Sequence, residues 1–426
     1  MRLIYQCLCI AMLCAGLLVT PVKGAGLWLY ELGTPDMGTA SAGRGATAKD
    51  ASVAGANPAA MTKLNRSQLL AGALGLSVNV KFDVDKATFG GGDGGNAGDF
   101  VPVGSFSYVY SATPDLKLGI TAGSYFGLGL DYGDDWAGRY YITEGEFLTF
   151  LINPSVGYRI NNWLSIGAGV DILYAKLDQK AAINNQLTDG AGFPDGKLKI
   201  EDDDVGYGFN VGTLIELSEA TRFSLTYRSK VEVKFEDVVD TKGVGPNLQH
   251  LLDILGVTAE EVDLEMQLPQ AIMLSGYHDL TDRLALVASA GWQDWSDFGE
   301  TTATIKSTTS TSLELDRNFK DTWHVALGAR YRFAEPWVWS VGAAYDSSPV
   351  DDEDRTPDLA LDRQIRIGTG LQYDWNKDIT LGTAYTFIDA GKAKIDQEGG
   401  PLQGELKGKY KTYNIHAIAL NLIWRF

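Results

Sequence analysis

Apolar and polar side chains alternate along most of this chain, with a period of two. The last stretch shows it plainly: in YNIHAIALNLIWRF, Leu420, Leu422, Trp424 and Phe426 share one side of an extended backbone, and Asn421 and Arg425 the other. In residues 321–333, Trp323, Val325, Leu327, Ala329, Tyr331 and Phe333 fall on one face and Thr322, His324, Gly328, Arg330 and Arg332 on the opposite one. Residues 222–235 repeat the pattern, with Phe223, Leu225, Tyr227, Val231, Val233 and Phe235 on one side and Arg222, Arg228, Lys230, Glu232 and Lys234 on the other. A greasy face toward lipid and a polar face toward a wet lumen predict membrane-spanning β-strands, and a terminal aromatic suits the closing strand of an outer-membrane barrel. A soluble sandwich would turn its charges outward instead, and charge alone does not say which face is wet.

Segments of this kind lie near 66–82, 101–112, 115–131, 146–160, 162–176, 205–217, 221–236, 268–279, 282–296, 321–333, 336–347, 363–375, 378–389 and 411–426, which makes fourteen strands. Tight connections occur at Thr113-Pro114-Asp115, Asn161-Asn162, Ser218-Glu219-Ala220, Thr281, Ala334-Glu335 and Asn376-Lys377. Between them run connections of about 14 to 30 residues, longer than ordinary hairpin loops. Short turns on one side and long loops on the other are the outer-membrane pattern. The expected fold is therefore all-β, a 14-stranded antiparallel transmembrane barrel over 66–426. Residues 25–65, rich in Gly and Ala, precede it and are expected to fill the lumen as a hatch. In the loop 237–267, Leu248, Leu251, Leu252 and Leu255 recur at helical spacing, and Thr258 with Glu261 forms a candidate capping box. That loop is expected to be partly helical.

Residues 1–24, with Arg2, an apolar run from Leu8 to Val19 and Val22-Lys23-Gly24, read as a secretory signal peptide. No later stretch is long and apolar enough to span a bilayer as a helix. All three cysteines, Cys7, Cys9 and Cys14, fall in the signal, so the mature chain is expected to draw its stability from a closed sheet and not from disulfides. The formal net charge of −18 argues against nucleic acid as a partner. The 49 glycines, with 10 Trp, 19 Tyr and 16 Phe spread along the chain, fit one repetitive sheet. His250, His278, His324 and His416 are scattered without metal-ligand spacing, and no nucleophile motif accompanies a Ser or Cys. Neither a metal, another cofactor nor an enzymatic activity is expected. The acidic runs Glu201–Asp204 and Asp351–Asp354 are expected in external loops, as solvated charge or as bridges through divalent cations to lipopolysaccharide.

Asn57-Pro58-Ala59 by itself reads as an ordinary turn. It stands, however, at the end of AGLWLYELGTPDMGTASAGRGATAKDASVAGANPAAM, which resembles the N-terminal hatch of the FadL family of outer-membrane long-chain fatty acid transporters. LPQAIMLSGYHDL, WQDWSDFG, FKDTWHVALGARY and AAYDSSPVDDEDRTPDLALDR resemble that family's segments in the same order. The resemblance implies a plugged barrel in the bacterial outer membrane for passive uptake of hydrophobic compounds, long-chain fatty acids first, with Asn57, Pro58 and Ala59 anchoring the hatch. It implies a kinked third strand with a lateral opening at Phe126, Gly127 and Gly129, although these glycines could equally relieve crowding. It implies an external capture groove at Leu248, Leu251, Leu252 and Leu255, whose alternative is packing between loops. Lys320 and Lys176 align as partners of a fatty acid carboxylate. Lys320 shares the inward parity of His324, whereas Lys176 falls on the outward one, and each could instead belong to an ion-pair network. The implied partners are fatty acids or aromatic hydrocarbons, outer-membrane lipid and lipopolysaccharide, and the barrel assembly machinery through the strand ending at Phe426. Uptake of aromatic hydrocarbons is the alternative within the family. A general porin and an outer-membrane hydrolase are the alternatives outside it.

Overall fold

The computed structural model describes residues 28–236, 239–255, 262–305 and 311–426. The expected signal peptide and the Thr258–Glu261 capping box lie outside them. Fourteen antiparallel strands form the wall. They are β1 (Gln68–Ala87), β2 (Phe100–Ser111), β3 (Leu116–Gly123, resuming as Gly127–Asp131), β4 (Glu144–Arg159), β5 (Leu164–Ile183), β6 (Gly196–Glu216) and β7 (Thr221–Arg228). Then follow β8 (Ala271–Asp279), β9 (Leu284–Gln293), β10 (Thr322–Ala334), β11 (Trp337–Asp346), β12 (Gln364–Asp374), β13 (Ile379–Asp389) and β14 (Glu405–Arg425). The last strand pairs with the first, from Gln68 against Arg425 to Ala87 against Leu406, so the barrel closes. Closure gives every strand two neighbours and removes the open edges that a membrane could not hydrogen-bond.

The faces fall as the alternation predicts. On β10, Trp323, Val325 and Leu327 are 64, 52 and 71% exposed on the outer wall, while Thr322, His324 and Ala326 are buried inside. Aliphatic and aromatic side chains therefore cover the outside, which rules out the sandwich. Several strands run further than the apolar pattern suggests. The Glu201–Asp204 run, expected in a loop, continues β6, with Asp203 opposite Lys176 and Asp202 opposite Leu177 on β5. Backbone pairing does not stop where the apolar band ends, so hydropathy underestimates strand length outside the bilayer.

One face is inverted. Val231, Val233 and Phe235 are expected on the lipid side with Phe223 and Leu225, yet all three are completely buried. After Arg228 the ladder breaks at Ser229-Lys230, where Ser229 exchanges backbone and side-chain bonds with Phe209. Slipping one residue reverses every later side chain. Val231–Phe235 then joins Val262–Leu268, Glu300–Ile305 and Thr311–Asp316 in a four-stranded external sheet.

Residues 28–64 lie inside the barrel as a 3-10 helix (Pro35–Thr39), a helical turn (Val53–Ala56) and a second 3-10 helix (Pro58–Lys63), almost entirely buried. The expected external helix forms over Pro246–Leu255.

Candidate functional site

The plug is seated on two rows of glycine. Gly157, Gly167 and Gly212 face one another across β4, β5 and β6. A Cβ on Gly212 would overlap Asn57 Oδ1, one on Gly167 the Ala59 amide, and one on Gly157 the Pro58 carbonyl. The second row, Gly328, Gly342 and Gly368 on β10, β11 and β12, receives Thr39 and Met37 in the same way. Removing side chains from three adjacent strands leaves a flat place where another backbone can approach. Asn57 itself is fully buried and gives its Nδ2 to the carbonyls of Gly45 (2.9 Å) and Thr213 (3.2 Å), while its Oδ1 accepts from Ala59 N (3.2 Å) and caps the second 3-10 helix. The wall adds cations that bond plug carbonyls: Arg222 to Ala46 (2.6 Å), Arg228 to Gly55 (2.8 Å) and Arg159 to Thr62.

The beginning of the plug is held differently. Trp28 forms an isolated antiparallel bridge to Phe126, with Leu29 N donating to Tyr125 O at 2.9 Å. Phe126 lies in the interruption of β3, Ser124–Phe126. The ladder from β2 ends at Phe106 opposite Ala122, so Phe100–Ser105 pair with β1 alone on that flank. Gly127 and Gly129 come just after the break and pair regularly with Leu148 and Glu146 on β4, neither with a positive φ. The expectation that these glycines supply the kink is corrected: the ladder lapses before them, where Tyr125 and Phe126 turn inward and the plug takes over their backbone.

Phe126 anchors an aromatic chamber above the plug that is filled by its own packed rings. Its ring centroid is 5.5 Å from Phe298, 5.7 Å from Phe147 and 5.8 Å from Trp295. Phe147 in turn meets Phe235, one of the inverted residues, at 6.4 Å. A cavity beside Trp28 is lined also by Trp295, Leu361, Gln364, Asp346 and Arg366. Arg366 is buried and paired with Asp346 and with Glu31 of the plug (3.3 Å), and Asp346 also meets His324 Nδ1 at 2.8 Å.

Neither lysine expected to meet a carboxylate lies in this chamber, and both expectations are corrected. Lys320 is exposed beyond the start of β10, in an ion pair with Asp351, because the chain has left the strand and its parity no longer points inward. Lys176 sits on the outer face of β5 between Tyr174 and the β6 acidic run, 3.5 Å from Glu201. Among the described residues lining the cavity beside Trp28, the cation is Arg366. Its parity in Ile365-Arg366-Ile367-Gly368 matches a charged inward position, a signal that alternation carried.

On the external side, the helix Pro246–Leu255 is docked by Asp189, whose carboxylate accepts from Asn247 N (2.8 Å) and Leu248 N (3.1 Å). Burial pushes this carboxyl up, but bonds from Asn247, Thr188 and Leu248 outweigh it and hold it below the usual range. Leu248 is buried against this support, whereas Leu251 (42%), Ile254 (68%) and the neighbouring-loop residue Leu187 (58%) are exposed. Leu252 and Leu255 belong to the helix, but their side chains lie outside those described.

Comparison with known proteins points one way. The family model described as outer membrane protein transport protein (OMPP1/FadL/TodX) matches residues 16–426. A long-chain fatty acid transport protein of Escherichia coli O6:H1 is 28% identical over 423 residues, covering 93% of this chain and 94% of the relative. The crystal structure of a Pseudomonas aeruginosa FadL homologue superposes with a TM-score of 0.84 at 20% identity, covering 94% and 100% of the two chains. The Pseudomonas putida toluene transporter TodX gives 0.62 at 16% identity, covering 87% and 92%.

Proposed function

The chain belongs to the outer membrane protein transport family, and from that premise we propose that it carries hydrophobic compounds, foremost long-chain fatty acids, passively inward across the bacterial outer membrane. It is a transport barrel of that membrane and not an enzyme. The observation that carries the finer reading is the meeting of three features at Phe126: the interruption of β3, the first residues of the plug, and the aromatic chamber. A hydrophobic solute gains about 25 cal/mol for each Å² of apolar surface it buries, before ordering costs, so an aromatic interior gives it a path that a water-filled pore does not.

In this reading the solute is first held at the exposed side of the helix Pro246–Leu255, beside Leu251 and Ile254. It then passes into the chamber around Phe126, Phe147 and Trp295. The plug body, bonded through Asn57 and two glycine rows, stays in place, while the segment from Trp28 to Thr34 shifts and opens the way past the β3 break. A second reading, uptake of neutral aromatic hydrocarbons, is favoured by one observation: Arg366, the chamber's cation, is already matched by Asp346 and Glu31.

Uptake of labelled oleate and labelled toluene, side by side, in a host lacking its own hydrophobic transporter decides between them. Oleate uptake that depends on this protein supports the fatty acid; toluene alone supports the neutral reading; neither sinks both.

A further inference from the structure

Glu31, near the start of the described plug, is only 1% exposed, yet among the described residues neither of its carboxylate oxygens accepts a hydrogen bond. Its Oε1 faces Arg366 Nε at 3.3 Å, and that Nε likewise makes no hydrogen bond. The rest of the guanidinium is fully used. Nη1 donates to Asp346, and Nη2 to Gln364 and, at 3.4 Å, to the Trp28 carbonyl. Asp346 is shared with His324 Nδ1, and the other ring nitrogen, Nε2, is a further buried atom without a hydrogen bond. Buried polar groups are nearly always hydrogen-bonded, because an unmade bond leaves the cost of desolvation uncompensated. A carboxylate and a guanidinium nitrogen that meet without a bond are held by charge and not by fit.

The space around the pair limits what else can enter. The cavity beside it, lined among others by Trp28, Trp295 and Arg366, holds about 20 Å³, room for about one water. A second carboxylate has no place next to Glu31 and reaches Arg366 only by replacing it. Charge sets the same condition. Arg366 already answers two carboxylates, Asp346 and Glu31, and a third in this buried group would carry a desolvation cost with no cation to offset it. A free acid, unlike Glu31, is not tied to a fixed backbone position. It can align with the guanidinium edge in the two-bond arrangement that makes Arg–carboxylate contacts strong.

Glu31 belongs to the part of the plug that is held least. Residues 28–34 form no helix, and among the described residues their one β-bridge is that from Trp28 to Phe126. Arg366 grips this segment at two points, the Trp28 carbonyl and the Glu31 carboxylate. Gly33, with a φ of 71°, joins it to the 3-10 helix Pro35–Thr39, whose backbone rests on the glycine row of β10, β11 and β12. Losing Arg366 therefore loosens residues 28–34 and leaves the plug body docked.

We propose that Glu31 is an internal competitor for the head group of an anionic amphiphile. The acid's carboxylate takes Arg366, Glu31 withdraws, and residues 28–34 are released at the β3 break. A neutral compound of the same length lacks the group that makes the exchange. The inference rests on the hydrophobic-uptake reading, names anionic amphiphiles as the substrate class and makes Glu31 the residue that sets the preference. The charge match at Arg366 then describes the resting site, which an acid opens.

The test uses the purified intact protein in nanodiscs and two labelled probes, oleate and methyl oleate. Glu31→Gln keeps the shape and removes the competing charge, so it should raise the ratio of oleate to methyl oleate affinity by about fivefold. Glu31→Asp should keep the parent's ratio. Arg366→Gln alone would strand two buried carboxylates, so it is combined with Glu31→Gln, and this double variant should lose the gain. An unchanged or lowered ratio in Glu31→Gln overturns the proposal, because Glu31 then does not compete with the acid. Hydrogen exchange of the amides of residues 28–34, read by mass spectrometry, follows the release itself. Saturating oleate should speed it by about threefold or more, and saturating methyl oleate should not. Equal acceleration by both probes, or by neither, also overturns the exchange while leaving the uptake reading in place. If the parent binds neither probe, the uptake reading fails and the exchange falls with it.

Discussion

Asn57 and Gly212 fit each other as a single unit: the amide needs both plug and wall carbonyls, and it reaches Thr213 only because the neighbouring residue has no Cβ. Gly212→Val should therefore unseat the plug as effectively as Asn57→Ala. Each should cost about 1–3 kcal/mol, the first by overpacking and the second by lost buried bonds, measured as a fall in unfolding midpoint of the purified barrel. A Gly212→Val barrel as stable as the parent would remove the glycine-row account. Sequence showed Asn57-Pro58-Ala59 and did not show why these residues were needed, because their partners lie about 100 to 150 positions away and no local pattern links them. The lysines teach the converse. Lys320 is an exposed ion pair, and such pairs contribute little, so Lys320→Ala should leave oleate uptake within about twofold of the parent. A tenfold loss would return the carboxylate role to it.

At the scale of elements, alternation located all the wall strands and failed where a strand stops being regular. The β3 break depends on Leu29 and Trp28 replacing the missing neighbour, and the reversal at Ser229 depends on a bond to Phe209; both are contacts between distant segments. Since the mature chain is expected to contain no cysteine, Trp28→Cys with Phe126→Cys provides a clean lock. The oxidised pair should reduce oleate uptake by about tenfold and dithiothreitol should restore it, if the first residues of the plug must move. Unchanged uptake in the oxidised form would mean that they need not. The external helix has its own signature. The Asp189 carboxyl is held below its ordinary value of 3.8 by the bonds it accepts, so its contribution to docking is present above that pH and lost as pH falls through the lowered value. Capture of a fluorescent fatty acid at the outer face should weaken on acidification below pH 3.8, and Asp189→Asn should show the weaker capture already at neutral pH.

For the whole molecule, a closed barrel with a plug docked on two sides of its lumen should not conduct ions steadily. Planar bilayers holding the intact protein are expected to show no large stable conductance, whereas a variant lacking residues 28–64 should open like a porin; steady conductance from the intact chain would favour the porin alternative. The sequence by itself determined the strand number, which residues share each regular face and the side with long loops, because a period of two is a local property repeated at every strand. Only the tertiary structure decided where the plug sits, which aromatic residues form the chamber, and that Lys320 and Lys176 are outside it. Those features depend on which distant strands are brought together by barrel closure, and side chains that share a lumen need share nothing in sequence.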